Sequence, residues 1–136
     1  MTKMVLTSEF LSINSNDLST YLNKCEVVVE VDEKEVTTYG SGGWKEYLGG
    51  LKAGTLAVEF KQDYADNALD EIMWALLGTV VPFEVRPTSA NAGTSNPSYE
   101  GDVLISKWSP IEGSIGDEAT ASATWPTSGA VTRETT

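Results

Sequence analysis

At 136 residues the chain is the size of one domain, and its 40% hydrophobic content suits a single core with no disulfide or metal staple. Its net charge of −11, from 20 acids against nine Lys and Arg with no basic cluster, excludes tight nucleic-acid binding by phosphate neutralisation. One cysteine, Cys25, excludes an intramolecular disulfide, and the absence of histidine removes the commonest general base and metal ligand.

The acids are spread, nine in residues 1–60 and eleven in 61–136, so the charge reads first as solubility. The opening MTKMVLTSEF lacks the apolar stretch of a signal peptide, and no apolar run approaches the roughly 18 residues of a membrane span. The expectation is a chain neither exported by the usual route nor inserted in a membrane.

Residues 26–31 are rich in β-branched side chains and predict a strand, with a turn at Asp32-Glu33 and a second run over 34–39. Residues 40–51 hold five glycines but also Trp44, Tyr47, Leu48 and Leu51. A flexible linker has no use for large apolar side chains, so this loop is expected to dock on something. Residues 55–62 alternate cleanly, with Leu56, Val58 and Phe60 on one face and Ala57, Glu59 and Lys61 on the other.

Residues 67–77 predict the one helix. Leu69, Ile72, Met73 and Leu76 form its stripe, Asp66 is its cap, Gly78 sits at C′, and Asp70 and Glu71 are left in water. Residues 80–86 bring Val81, Phe83 and Val85 to one face. Pro82 cannot donate to a ladder, so the strand is expected to lie at an edge there or to begin late. Strands over 101–108 and 119–125 follow, the last stopped by Pro126. Residues 88–98 read as an exposed loop and 127–136 as a short polar C-terminal segment. The sum predicts one domain over 1–136, mainly β: a β-sandwich or barrel with one flanking helix and a long loop over about 39–51.

Catalysis finds little support. Cys25 has no histidine to activate it and reads as a small side chain at a strand start. Asp70 and Glu71 are adjacent on a helix and do not face each other, which disfavours a carboxylate hydrolase. Asp63, Asp66 and Asp70 lack calcium-loop spacing, and the glycines of 40–50 match no phosphate-binding pattern. Trp44, Trp74, Trp108 and Trp125 do not cluster, and each can be a core residue. No enzyme activity, cofactor or metal is expected.

The segments resemble a known set. Gly49-Gly50-Leu51-Lys52, the strand after it and Phe60-Lys61-Gln62-Asp63 resemble the central segment of tail tube (major tail) proteins from siphovirus-type phages of actinobacteria. Leu77-Gly78-Thr79, the next strand and Arg86-Pro87-Thr88-Ser89-Ala90 are similar to their following segment. Asn96-Pro97-Ser98-Tyr99-Glu100-Gly101 and the stretch from Gly113 through Arg133 continue the likeness, in order, over nearly the whole chain.

The resemblance implies a tail-tube-type β-sandwich with a helix on its side. Its subunits form hexameric rings that stack into a tube. The lumen holds the tape measure protein and passes double-stranded viral DNA without specific binding. Tail terminator and tail-tip proteins are further partners. The location is the virion, with assembly in the bacterial host cytoplasm.

The family's ring-bridging loop falls on residues 39–51, which makes Tyr39, Trp44, Tyr47, Leu48 and Leu51 the expected inter-ring anchors. Glu26, Glu30, Glu59 and Lys61 are the expected lumen-facing groups, acting on DNA within a Debye length of about 8 Å. Rival readings are another virion protein that stops at one ring (a terminator or tail-tip adaptor) and a carbohydrate-binding β-sandwich that works as a monomer. Self-assembly separates them.

Overall fold

In a computed structural model, which describes residues 3–136, the chain is mainly β with one helix. The strands are β1 (Phe10–Ile13), β2 (Asn16–Asp17), β3 (Leu22–Glu35), β4 (Tyr47–Lys61), β5 (Val80–Arg86), β6 (Ser98–Leu104) and β7 (Thr120–Glu134). Helix α1 (Leu69–Leu76) lies between β4 and β5. All the pairings between these strands are antiparallel, in the order β2-β1-β5-β6-β7-β4-β3.

Strand β7 joins the two halves of this sheet. Its first part, Thr120 to Pro126, pairs with β4, and its second, from Thr127, pairs with β6. The apolar faces of both halves meet in one core: Leu11 and Ile13 from β1, Val81, Phe83 and Val85 from β5, Leu56, Val58 and Phe60 from β4, and Trp125 from β7. The alternation read in β4 and β5 therefore holds residue by residue.

Two buried tryptophans satisfy their indole N–H groups as the core closes. Trp125 donates to the Lys107 carbonyl at 2.7 Å and Trp108 to Asp70 Oδ1 at 3.1 Å. Asp70 is thus not left in water as predicted; it holds Trp108, whose ring lies 6.1 Å from Phe60.

The helix is shorter than the predicted 67–77. Its N-cap is Ala68, with no side-chain cap, so Asp66 does not cap it. Asn67 sits at φ 58, a left-handed turn that asparagine tolerates, and the Glu71 carboxylate accepts from its N–H. Asp63 organises the approach: its side chain accepts from the Ala65 N–H at 3.0 Å and its carbonyl from the Asp70 N–H at 3.1 Å. Gly78, at φ 87, does end the helix at C′.

The prolines and turns behave differently from the reading. Pro126 does not stop β7, which runs on to Glu134. It sits at the last pair with β4, where the strand changes partner and a missing N–H costs least. Pro82 lies inside the sheet order, but the β1 ladder begins only at Phe83, so β5 has one strand neighbour at Pro82 and is an edge there as expected, while the strand itself begins at Val80 and not late. Asp32-Glu33 is no turn; β3 passes through it with a register shift between Val31 and Glu33. β6 spans Ser98–Leu104 rather than 101–108, because Ile105 leaves the strand to exchange backbone bonds with Gly78 and Thr79.

Candidate assembly surfaces

The last pair between β4 and β7 is Thr55 with Pro126. Beyond it, β3 and β4 continue together as a two-stranded arm, through Lys34 opposite Leu48 and Glu35 opposite Tyr47. About eight residues at roughly 3.3 Å each make the arm about 25 Å long. Every residue from 29 to 40 is exposed. The predicted loop of 39–51 is therefore only partly loop: Tyr47 to Leu51 belong to β4, and the turn lies between Glu35 and Tyr47.

Backbone and side-chain bonds hold the arm tip in shape. The Val36 N–H donates to the Glu46 carbonyl and the Glu46 N–H to Thr37 Oγ1, both at 2.9 Å. Thr38 and Ser41 exchange a capping box around a 3-10 turn, Tyr39–Ser41. Gly42 and Gly43 then take φ of 65° and 90°, which glycine adopts without strain.

This frame presents Tyr39 and Trp44 at 107% and 78% exposure around a concavity of about 410 Å³ that Lys45 also lines. Tyr47, Leu48 and Leu51 are exposed as well. Tyr47 shares a face with Glu35 and Leu48 with Lys34, so the five anchors expected from the sequence lie on one arm but not on one face. Gly49 and Gly50 let the strands close up, since a Cβ on either would lie within 3.0–3.2 Å of Val31, Asp32 or Lys34.

The register puts Glu26, Glu30, Glu59 and Lys61 on one face of the β3-β4-β7 layer, together with Lys24 and the hydroxyls of Thr120, Ser122 and Thr124. Lys24 is the direct cross-strand partner of Glu59, which also accepts from Asn23 Nδ2 at 3.3 Å. Lys61 pairs with Glu118 at 3.5 Å. The face is polar and mixed in sign, with the uncompensated acids on β3.

Cys25 faces the core opposite Val58, and burial, then the Glu9 carboxylate, push its thiol up to about 12. Among the described residues no group of three His, Cys, Asp or Glu could hold a metal ion, and no helix is long and apolar enough to cross a membrane. Of the four tryptophans, Trp108 and Trp125 are buried and Trp44 and Trp74 exposed. The sequence reading missed a second exposed patch, Ile111 and Ile115, although isolated isoleucines among Gly, Ser and Pro carry the signal used for Trp44.

A similar fold is found in chains of gene transfer agent particles. A chain of the virion of a native gene transfer agent (GTA) particle superposes with a TM-score of 0.73 at 20% identity, over 93% of this chain and 95% of that one. A chain of the tail of an empty GTA particle with C6 symmetry superposes with a TM-score of 0.68, also at 20% identity, over 92% of each. A comparison with curated protein sequences gives no significant match. The family model for phage tail tube proteins matches residues 20–133, and the chain belongs to that family.

Proposed function

We propose that this chain is the structural subunit of a phage tail tube: copies close into hexameric rings, the rings stack, and the lumen holds a tape measure protein and then passes viral DNA. The observation that carries the reading is the arm. A two-stranded ribbon of this length, with its apolar side chains in water, is marginal alone and becomes stable against a neighbour. Ring closure is a heterologous contact closed by rotation, and stacking is one that never closes, so a single chain with two different ends builds a tube. The C6 tail of the GTA particle, built on a similar fold, supports sixfold rings.

The sheet supplies further contacts. β3 is an edge strand along its whole length, and β4 is open beyond Thr55; both can pair with a neighbouring subunit. The polar face of β3, β4 and β7 lines the lumen, where Glu26 and Glu30 keep DNA phosphates from binding. The chain works without catalysis: it has no histidine, and its one thiol is buried and stays protonated at neutral pH. It acts in the virion tail, after assembly in the host cytoplasm with the tail-tip and terminator proteins.

Negative-stain electron microscopy of the concentrated protein tests the reading. Tubes of uniform bore are expected. Rings that never stack would favour a terminator or adaptor role, and monomers that bind sugar would replace the reading.

A further inference from the structure

A subunit that stacks without closing carries two different surfaces, one at each end, that fit each other. The arm tip is one. We infer that the other is the patch around Ile111 and Ile115 at the opposite end, and that its occupant is the arm tip of a second copy. This rests on the tube-subunit reading above.

Position comes first. β4 has 15 residues, so fourteen rises of roughly 3.3 Å set Tyr47 and Lys61 about 46 Å apart. The segment 105–119 is tied to the Lys61 end. The Gln62 N–H donates to the Ala119 carbonyl at 3.0 Å, the Tyr64 hydroxyl to the Pro110 carbonyl at 2.5 Å, and Lys61 meets Glu118 at 3.5 Å. Helix α1 begins at the same end and adds the exposed Trp74.

Shape comes second. Ser114 to Asp117 form a closed β-turn, with the Asp117 N–H on the Ser114 carbonyl at 2.9 Å and the Ser114 N–H on Asp117 Oδ2 at 3.1 Å. Gly116, at φ 89, supplies the positive angle that a type II turn demands at its third residue. The turn holds Ile115 out at 106% exposure, and Ile111, four residues earlier, is 85% exposed. Ile115 is a fixed apolar knob, and the concavity of Tyr39 and Trp44 is an apolar hole at the other end of the molecule.

Charge comes third. Residues 61–79 and 105–119 together hold seven acids (Asp63, Asp66, Asp70, Glu71, Glu112, Asp117 and Glu118) against two lysines, Lys61 and Lys107, a net charge of −5. The tip, residues 36–46, holds Lys45 and Glu46, a net charge of zero in a chain of −11. An acidic end meets a neutral one without the repulsion that two acidic ends would suffer, and Lys45, at the rim of the hole and 3.9 Å from the exposed Glu35 carboxylate, supplies the tip's one cation.

The experiment first records tubes of the wild-type chain. Ile115→Glu is then expected to stay folded, since its side chain is in water, and to need an about tenfold higher concentration to elongate, the loss expected when one buried aliphatic contact is removed. Val5→Glu, an exposed site elsewhere, should elongate as wild type. In a Cys25→Ala background, chains carrying Lys45→Cys are mixed with chains carrying Ser114→Cys and mildly oxidised; a dimer with one of each is expected within tubes.

Tubes without that mixed dimer, or normal elongation by Ile115→Glu, would overturn the pairing and leave the tube reading standing. A wild-type chain that makes neither rings nor tubes would remove both.

Discussion

The two ends of β3 and β4 are one pair of strands in two environments. Below Thr55 β4 lies between β3 and β7, and Leu56, Val58 and Phe60 are buried. Above it the same hydrogen-bonded ladder continues with no neighbour, and Val29, Val31, Tyr47 and Leu48 are left in water. The ladder bonds are alike in both halves, so backbone pairing is not what separates them. Burial is: each fully buried large apolar side chain contributes about 1.5–3 kcal/mol, and the arm collects almost none of this within one chain. The body is built to fold alone, and under the proposed function the arm is completed by another copy.

The largest expected effect lies in the body. Trp125→Ala removes a fully buried indole and its bond to the Lys107 carbonyl, at a cost of about 3–5 kcal/mol. A thermal melt should show the variant largely unfolded or steeply destabilised. Trp44→Ala, the same substitution in the arm, should move the melt by less than about 0.5 kcal/mol. Comparable losses at both sites would break the comparison, because the arm would then be part of the folding unit.

The second effect is on assembly alone. Val36 and Glu46 are the last bonded pair of the arm, so residues 37–45 can be replaced by Asn-Gly, a two-residue hairpin turn. The monomer melt should be unchanged and elongation abolished. Tubes of normal length from this variant would show that the tip is dispensable to stacking.

How far the sequence spoke depends on which physics set each element. Alternation set β4 and β5, so their buried faces were legible to the residue: Leu56, Val58, Phe60; Val81, Phe83, Val85. Local propensity misled where a partner overrode it. Pro126 looked terminal because a proline breaks one ladder, but here it falls between two. Asp32-Glu33 looked like a turn because the pair is polar, but both faces of the arm are in water, and it needs no apolar alternation to remain a ribbon. Asp70 looked solvated because nothing in the local pattern announces Trp108, 38 residues away. The glycine-rich stretch stood out in the sequence for its large apolar side chains, which the structure leaves exposed, but its half-strand character was not legible. The Ile111–Ile115 patch was legible in principle and passed over among turn-forming residues.

A third, smaller effect concerns the polar face. Glu59→Lys would set two cations directly opposite, because Lys24 is its cross-strand partner, and would confuse stability with function. Glu26 and Glu30 are exposed and have no salt-bridge partner among the described residues. Replacing both by lysine moves the net charge from −11 to −7, two units for each change. Tubes should still form but retain DNA that wild-type tubes release, with retention weakening as salt rises. Salt-independent release from both would take these two residues out of the lumen.

The smallest effect sharpens the body-and-arm comparison within a single strand. Cys25 lies in the lower part of β3, and its thiol is pushed from about 9.0 up to about 12 by burial and by Glu9. A raised acid favours the neutral form in the fold. Its contribution is whole below about pH 9 and is lost as pH climbs from about 9 towards 12, where the unfolded chain ionises first. Stability of the wild type should therefore fall more steeply across that window than stability of Cys25→Ala, the tyrosines and lysines being common to both. At pH 8 a thiol reagent should modify Cys25 about tenfold or more slowly than a cysteine placed in the arm as Lys45→Cys, because the buried thiol supplies almost no thiolate. Equal rates would mean that the lower part of β3 opens as readily as the arm. The boundary at Thr55 would then mark only where β7 ends its pairing and not where the folded body ends.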